Sequence, residues 1–190
     1  MSNSRWKNEI LTIPNFLSLF RLLLIPLYIL IYLNAETPGH YFLSAAILAV
    51  SCLTDMIDGK IARKYNMSST VGKILDPVAD KATQFALILC LAVKYSVLKW
   101  LMGLFVLKES FQLVAGCINL RKRRILKGAL ITGKICTTIL FVSLILLVLL
   151  PNMSPKLVHI ITLIDAVFML ISLIDYVTAY FCNRDKIQDL

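Results

Sequence analysis

The chain carries little charge. Only 16% of its 190 residues are charged and 58% are apolar, whereas about a quarter of a soluble domain is charged. This balance excludes an ordinary soluble globular domain. No internal repeat, low-complexity stretch or polar linker divides the sequence, so we expect a single membrane domain over residues 1–190. A spanning helix takes about 20 residues, and six such helices would use most of the chain.

The sequence also lacks paired cysteines. Its five cysteines occur singly in apolar stretches, with no CxxC spacing and an odd count. This pattern excludes a disulfide framework and a zinc site, and it favours buried thiols. Near the N-terminus, polar and acidic residues stand where a signal peptide would have its apolar core. We therefore expect the first membrane helix to be retained.

Apolar segments long enough to cross a bilayer recur six times. They are Phe16–Leu33, Tyr41–Ala62, Val71–Val93, Val97–Leu120, Ala129–Leu150 and Leu157–Phe181, and short breaks with turn residues separate them. Before the first, residues Arg5 to Leu11 mix apolar and cationic side chains, as a helix lying in the membrane interface does. The sequence predicts an all-α integral membrane protein with six transmembrane helices and a short N-terminal interfacial helix.

Cations are distributed unequally about these six spans. The net charge is +9, and of the twenty Lys and Arg only Lys94, Lys99 and Lys156 fall on one side. Because cytoplasmic loops carry the excess of Lys and Arg, both termini are predicted to be cytoplasmic. Because membrane topology accounts for this distribution of cations, the positive net charge does not indicate nucleic acid as a partner. The basic run at 121–124 fits this topology, and it also fits a site for anionic lipid heads or a substrate phosphate.

Four aspartates interrupt the second and third spans near the predicted cytoplasmic side. Asp55 and Asp58 share one face of the second helix, Asp76 and Asp80 share one face of the third, and a short turn joins the two helices. An ionised carboxylate facing lipid costs at least ~2.5 kcal/mol, so we expect the four to converge. Pairing with nearby lysines and arginines is the alternative.

Convergent carboxylates predict a particular chemistry. Four of them cannot all stay ionised without countercharge, and hard oxygen ligands suit magnesium, manganese or calcium. A two-cation site of this kind can bind a pyrophosphate, stabilise a leaving group and leave one carboxylate to accept a proton. The prediction is phosphoryl transfer at a membrane surface. Cation transport through the same cluster is the rival from another class.

The stretch from Asp55 to Asp80 has a fixed pattern. It reads DMIDGKIARKYNMSSTVGKILDPVAD, with specified residues at Asp55, Asp58, Gly59, Ala62, Arg63, Gly72, Asp76 and Asp80. This resembles the signature of the CDP-alcohol phosphotransferase family at every fixed position. The resemblance implies a homodimer of six-helix subunits that binds CDP-diacylglycerol and magnesium, transfers the phosphatidyl group to an alcohol and releases CMP.

The resemblance also implies residue roles. Asp55, Asp58, Asp76 and Asp80 correspond to ligands of two magnesium ions, with manganese possible, and Asp80 corresponds to the catalytic base as well. Gly59, Arg63 and Ser69 match positions that bind the CDP moiety. A close-approach glycine and a guanidinium fork suit a pyrophosphate. For Ser69, a simple turn residue or helix cap is the alternative.

The first helix gives a second resemblance. Residues Ile13 to Pro26 are similar to the first helix of the family's bacterial phosphatidylglycerophosphate synthases and cardiolipin synthases, which implies a bacterial inner membrane. Asn15, Ser18 and Arg21 recur at i, i+3 and i+6 on one helix side, and we expect them to bind the CDP-lipid. Arg21 needs an anionic partner, and lipid phosphates reached by snorkelling are the alternative to a bound nucleotide.

The acceptor alcohol is indicated by two further matches. Phosphatidylglycerophosphate synthases carry an Arg-Glu pair in the fourth helix and a GKxKT segment opening the fifth. Here Lys108-Glu109 and the segment from Gly133 to Thr137 correspond, with Cys136 at the second lysine position. Lys108 and Lys134 are the predicted acceptor-binding residues, for glycerol 3-phosphate. Cardiolipin synthesis from phosphatidylglycerol is the alternative, and a non-catalytic scaffold is a third reading.

Overall fold

A computed structural model describes residues 13–65, 72–121, 124–126, 130–181 and 187–189 of the chain. Side chains are described for residues 15–54, 72, 75–121 and 130–181. The chain divides into two compact units, Met1–Cys90 and Leu91–Leu190. The interfacial helix predicted at Arg5 to Leu11 lies outside the described residues.

Helices make up nearly all of the described backbone. They are α1 (Ile13–Leu33), α2 (Pro38–Tyr65), α3 (Gly72–Lys94), α4 (Leu98–Arg121), α5 (Ile131–Leu149) and α6 (Pro155–Phe181). Each coincides with one of the six predicted apolar segments to within three residues at either end. The apolar runs and their turn residues therefore predicted the helical architecture correctly.

Four of these helices are long and apolar enough to cross a membrane by length and composition: α1 from Asn15, α4, α5 and α6. In α2 the apolar part, Pro38–Thr54, is shorter, because the aspartate-bearing half of the helix follows it. At 1.5 Å per residue, the 28 residues of α2 and the 23 of α3 still exceed the thickness of a hydrocarbon core of about 30 Å. The chain is a multi-pass membrane protein.

In the first unit, α1 packs along α2, and α3 closes against both. Tyr28 and Tyr32 of α1 are buried, and their rings continue to Tyr41 of α2 with centroid separations of 5.7 and 5.5 Å. A small cavity lies between the three helices and is lined by residues of each, including Tyr28, Ser51 and Thr83. The polar ends of α1 and α3 are thereby held side by side.

In the second unit, α6 packs against both α4 and α5. The buried residues recur at helical spacing on each helix, for example Leu101, Phe105 and Lys108 on α4. Polar groups in these faces point into the bundle, as expected for membrane helices. Asp165 of α6 is buried, and Ser143 of α5 lies close enough to interact with it, although no hydrogen bond of ordinary geometry reaches its carboxylate.

The second unit also contains two short strands, β1 (Arg124–Leu126) and β2 (Ile187–Asp189). They pair antiparallel, with Arg124 opposite Asp189 and Leu126 opposite Ile187. The pairing joins the α4–α5 connection to the segment after α6, so these two parts of the chain lie on the same side of the unit. The apolar pattern detects spans and does not predict a three-residue strand pair.

The four described cysteines, Cys52, Cys90, Cys117 and Cys136, form no disulfide with one another. Cys90 and Cys136 are buried, as predicted, but Cys117 is exposed. Cys117 lies two residues, about 200°, beyond the buried Ala115 on α4, and so it falls on the opposite helix face. The expectation of burial is therefore wrong for Cys117, because an apolar membrane helix has an outward face that contacts lipid.

Candidate active site

The N-terminal half of α1 buries a polar face. Asn15, Ser18 and Arg21 are 5%, 0% and 2% exposed. The apolar residues beside them point outward, with Phe16 at 68% and Leu19 at 50% exposure. A helix that turns its polar side inward and its apolar side outward is suited to lipid surroundings. The three residues predicted to share one side of α1 therefore lie together inside the first unit.

Two side-chain contacts join this face to the aspartates of α3. The Ser18 hydroxyl donates a hydrogen bond to Oδ1 of Asp76. One turn further on, Nη1 of Arg21 donates to Oδ1 of Asp80 at 2.5 Å. Both residue numbers increase from the first contact to the second, so α1 and α3 run in the same direction. This direction is the one required of the first and third crossings of a chain that passes back and forth through a membrane.

The Arg21–Asp80 ion pair is open on one side. The Arg21 side chain is 3% exposed, whereas that of Asp80 is 49% exposed. The anionic partner that Arg21 requires is thus supplied by the chain itself, and the guanidinium is buried. The Asp80 carboxylate is therefore accessible from its exposed side. Asp80 is oriented by a buried cation and still accessible to a ligand.

We predict that Arg21 and Asp80 stabilise the fold jointly. The test is a double-mutant cycle with Arg21→Met and Asp80→Asn. The double variant should lose less free energy of unfolding than the two single variants lose in sum. Because Asp80 is half exposed, we expect a coupling energy of about 0.5 to 2 kcal/mol. Unfolding in mild detergent measures it. Asp76→Asn, whose carboxylate bonds Ser18 instead, should couple to Arg21→Met more weakly; equal coupling would contradict a specific pair.

The other half of the predicted site lies on α2. The backbone of α2 is helical through Tyr65, so Asp55, Asp58, Gly59 and Arg63 are on the helix as predicted, but their side chains lie outside the described residues. Ser69 lies outside them entirely. Among the described side chains, no group of three or more His, Cys, Asp or Glu could hold a metal ion. Asp76 and Asp80 are the two carboxylates that the described part contributes.

The predicted acceptor lysines have different environments. Lys108 is 2% exposed, and its Nζ donates to Oε1 of Glu109 at 2.7 Å and to Oε1 of Gln112 at 2.9 Å. Lys134, in the first turn of α5, is exposed. Cys136 is buried on the inner face of α5. Lys108 is therefore a charge-compensated buried cation, and Lys134 is an accessible one.

Three residues near these lysines have contacts that the sequence pattern does not reveal. Asp175 of α6 accepts a hydrogen bond from Oγ1 of Thr132 at 2.5 Å. The Tyr176 hydroxyl lies close enough to the Gln112 side chain and to the backbone of Leu130 to interact with both. An Asp-Tyr pair at the polar end of the last span is the signal that could have identified them.

Comparison with known proteins agrees with this arrangement. The sequence model of the CDP-alcohol phosphatidyltransferase family matches residues 11–176. The CDP-diacylglycerol–glycerol-3-phosphate 3-phosphatidyltransferase of Aquifex aeolicus (strain VF5) is 36% identical over 173 residues, which cover 87% of this chain and 94% of that protein. A protein of the same name from Rickettsia bellii (strain RML369-C) is 41% identical over 86 residues, which cover 45% of this chain and 46% of its own length.

Similarity also extends to a protein named for a different reaction. A cardiolipin synthase (CMP-forming) of Streptomyces coelicolor (strain ATCC BAA-471 / A3(2) / M145) is 35% identical over 109 residues, which cover 56% of this chain and 51% of that protein. The family match includes the polar face of α1, the aspartates of α2 and α3, and the acceptor-end contacts of α4 to α6. The chain belongs to the CDP-alcohol phosphatidyltransferase family.

Proposed function

We propose that this protein is a phosphatidylglycerophosphate synthase. It transfers the phosphatidyl group of CDP-diacylglycerol to glycerol 3-phosphate and releases CMP. Near-full-length similarity to a relative named for this reaction supports the proposal. The observation that carries the chemistry is the half-exposed Asp80 carboxylate, held by the buried Arg21 at the last aspartate of the family signature.

The reaction needs one proton acceptor and no covalent enzyme intermediate. Asp80 accepts the proton of the acceptor hydroxyl. The hydroxyl oxygen bonds to the phosphorus that carries diacylglycerol, and the bond from this phosphorus to the bridging pyrophosphate oxygen breaks, so CMP leaves. Arg21 keeps the Asp80 carboxylate turned toward its open side. Ser18 orients Asp76 in the same way.

The donor set suits hard divalent cations. We propose that Asp55, Asp58, Asp76 and Asp80 hold two magnesium ions, with manganese as a substitute. Two carboxylates one helical turn apart, both with some exposure to solvent, are what α3 contributes, and carboxylate oxygen is the ligand type these ions prefer. When bound, the ions supply Lewis-acid stabilisation of the pyrophosphate and of departing CMP.

Binding of the CDP-lipid is proposed for residues on both sides of this cluster. They are Asn15, Ser18 and Arg21 of α1 with Gly59, Arg63 and Ser69 of the signature segment. The burial of the three α1 side chains beside Asp76 and Asp80 supports their part. A bound pyrophosphate would be a second anion within reach of the Arg21 guanidinium, which has five N–H donors.

For the acceptor, we propose that Lys134 and Lys108 attract the phosphate of glycerol 3-phosphate. Lys134 is exposed at the first turn of α5, where backbone N–H groups also favour anions. One observation favours a second candidate, cardiolipin synthesis. Lys108 already has Glu109 as its counterion and Cys136 replaces a lysine, so the site offers less charge for a phosphate monoester. A phosphodiester such as that of phosphatidylglycerol carries less negative charge and therefore needs fewer cations to bind it.

We propose that all six helices span a bacterial inner membrane, with both termini and the active site facing the cytoplasm. The cation asymmetry supports this topology. So does the β1–β2 pair, which holds the α4–α5 connection and the C-terminal segment on the same side. The single family match over residues 11–176 supports one domain. The subunit is proposed to act as a homodimer, on the strength of the family resemblance.

CMP release by purified protein in detergent tests the function. CDP-diacylglycerol and magnesium are supplied with glycerol 3-phosphate, phosphatidylglycerol, inositol phosphate or serine as acceptor. We expect CMP with glycerol 3-phosphate alone. Release with phosphatidylglycerol alone would make the protein a cardiolipin synthase. No CMP with any acceptor would contradict an enzyme of this family and return cation transport to consideration.

A further inference from the structure

The start of α5 has no cap of its own. Leu130, at the N-cap position, is extended (φ −62°, ψ 140°), and none of the side chains that the structure describes caps the helix. Its first turn contains no acidic residue. The first four N–H groups of a helix need partners, and a helix without a local cap has a poorly fixed start. Contacts from elsewhere in the fold must therefore define where α5 begins.

Helix α6 supplies these contacts. Asp175 accepts the hydrogen bond of Thr132, which places a carboxylate near the positive end of the α5 dipole. The hydroxyl of the next residue, Tyr176, lies beside Gly133 and close enough to the backbone of Leu130 to interact with it. Two consecutive residues of α6 thus contact the N-cap residue and the first turn of α5.

Gly133 makes this contact close. A Cβ atom at Gly133 would lie 2.8 Å from the hydroxyl oxygen and 2.9 Å from Cε2 of Tyr176. Real Cβ atoms do not approach other atoms so closely, so any larger residue would push α5 and the ring apart. The ring edge of Tyr176 is therefore a steric stop for α5, and its hydroxyl is a tether.

The same hydroxyl reaches toward the buried lysine of α4. The Tyr176 hydroxyl lies close to the side chain of Gln112, and Gln112 accepts a hydrogen bond from Nζ of Lys108. Tyr176 consequently lies between Leu130, which precedes Lys134 in the chain, and Gln112, which binds Lys108. These two lysines are the cations proposed above to bind the acceptor.

We infer that Tyr176 is a positioning residue for acceptor binding: its ring edge against Gly133, and its hydroxyl between Leu130 and Gln112, set the spacing of Lys134 and Lys108. The inference rests on the proposed function. The described contacts of Tyr176 lie within α4, α5 and α6, so its effect reaches the acceptor through the two lysines. Substituting it should therefore alter the acceptor KM and leave the KM for CDP-diacylglycerol unchanged.

Steady-state CMP release with the acceptor that the wild type uses tests this inference. For Tyr176→Phe, which loses one hydroxyl and keeps the ring, we expect the acceptor KM to rise about 3- to 10-fold. The KM for CDP-diacylglycerol should stay within about twofold. Tyr180→Phe is the matched control, since Tyr180 lies one turn along α6 and its hydroxyl faces Gly116 of α4. That variant should behave as wild type.

A second pair of variants tests the steric stop. Gly133→Ala should raise the acceptor KM by more than Tyr176→Phe does. Combining it with Tyr176→Leu, which removes the ring edge, should add nothing to the effect of Tyr176→Leu alone. Equal rises in both KM values, or none, for a folded Tyr176→Phe protein would overturn the inference while the function stands. A wild type that uses no acceptor would refute the function itself.

Discussion

Asp80→Asn is expected to lower kcat for CMP release by about 10²- to 10⁴-fold, the range for loss of a general base. The asparagine keeps the shape of the side chain but cannot accept the hydroxyl proton, and it also lacks the charge that Arg21 and a divalent cation require. Half of the Asp80 side chain is exposed, so the fold does not depend on burying the carboxylate. We therefore expect the variant to be stable enough to purify.

The matched control is Asp165→Asn. Asp165 is a membrane aspartate of the same kind, but it is buried in α6 and lies outside the signature. Its conversion to Asn should leave kcat within about twofold, because a buried polar residue with no proposed part in the reaction acts on stability and not on the chemical step. Full activity in Asp80→Asn, or equal losses in both variants, would refute the assignment of Asp80 as the base.

Much of the first unit could be predicted from the sequence. The bilayer forces apolar residues to cover each span, so helix ends follow from where the apolar runs stop. Charged residues within a span are exceptions to this rule and are informative, because a buried cation such as Arg21 must have an anionic partner. What could not be predicted was that Asp80 of α3 is this partner, since spacing within α1 does not determine which helix faces it.

The second unit was harder to predict because its contacts depend on packing between helices distant in sequence. Gly133 matched a motif, yet its physical role, the close approach of Tyr176, is visible only when α5 and α6 are placed together. Lys108 looked like an available cation but is buried with Glu109 as counterion. The β1–β2 strands are too short to leave a periodic pattern. Local sequence therefore indicated which residues matter but not their partners.

Removing divalent cations is expected to abolish CMP release and to destabilise the protein. In the proposed site, four aspartates repel one another unless cations compensate them, and among the described side chains Arg21 forms an ion pair with Asp80. A ligand that binds only the folded state, at a hundredfold excess over its Kd, stabilises by about 2.7 kcal/mol. For a chain of this length that corresponds to a rise in Tm of about 5 to 10 °C.

Thermal unfolding of the EDTA-treated protein, with and without added Mg²⁺ or Mn²⁺, measures the binding independently of turnover. Asp76→Asn should lose most of the Tm increase, because it removes a ligand that Ser18 orients. Asp165→Asn should keep the full increase, so the shift cannot arise from a general effect of ions on the detergent-solubilised protein. A wild-type Tm that is indifferent to both ions, with CMP release surviving chelation, would mean that the aspartates bind no metal. In that case they would have to be compensated by neighbouring cations such as Arg21, and Asp80 would act on the acceptor hydroxyl without a metal beside it.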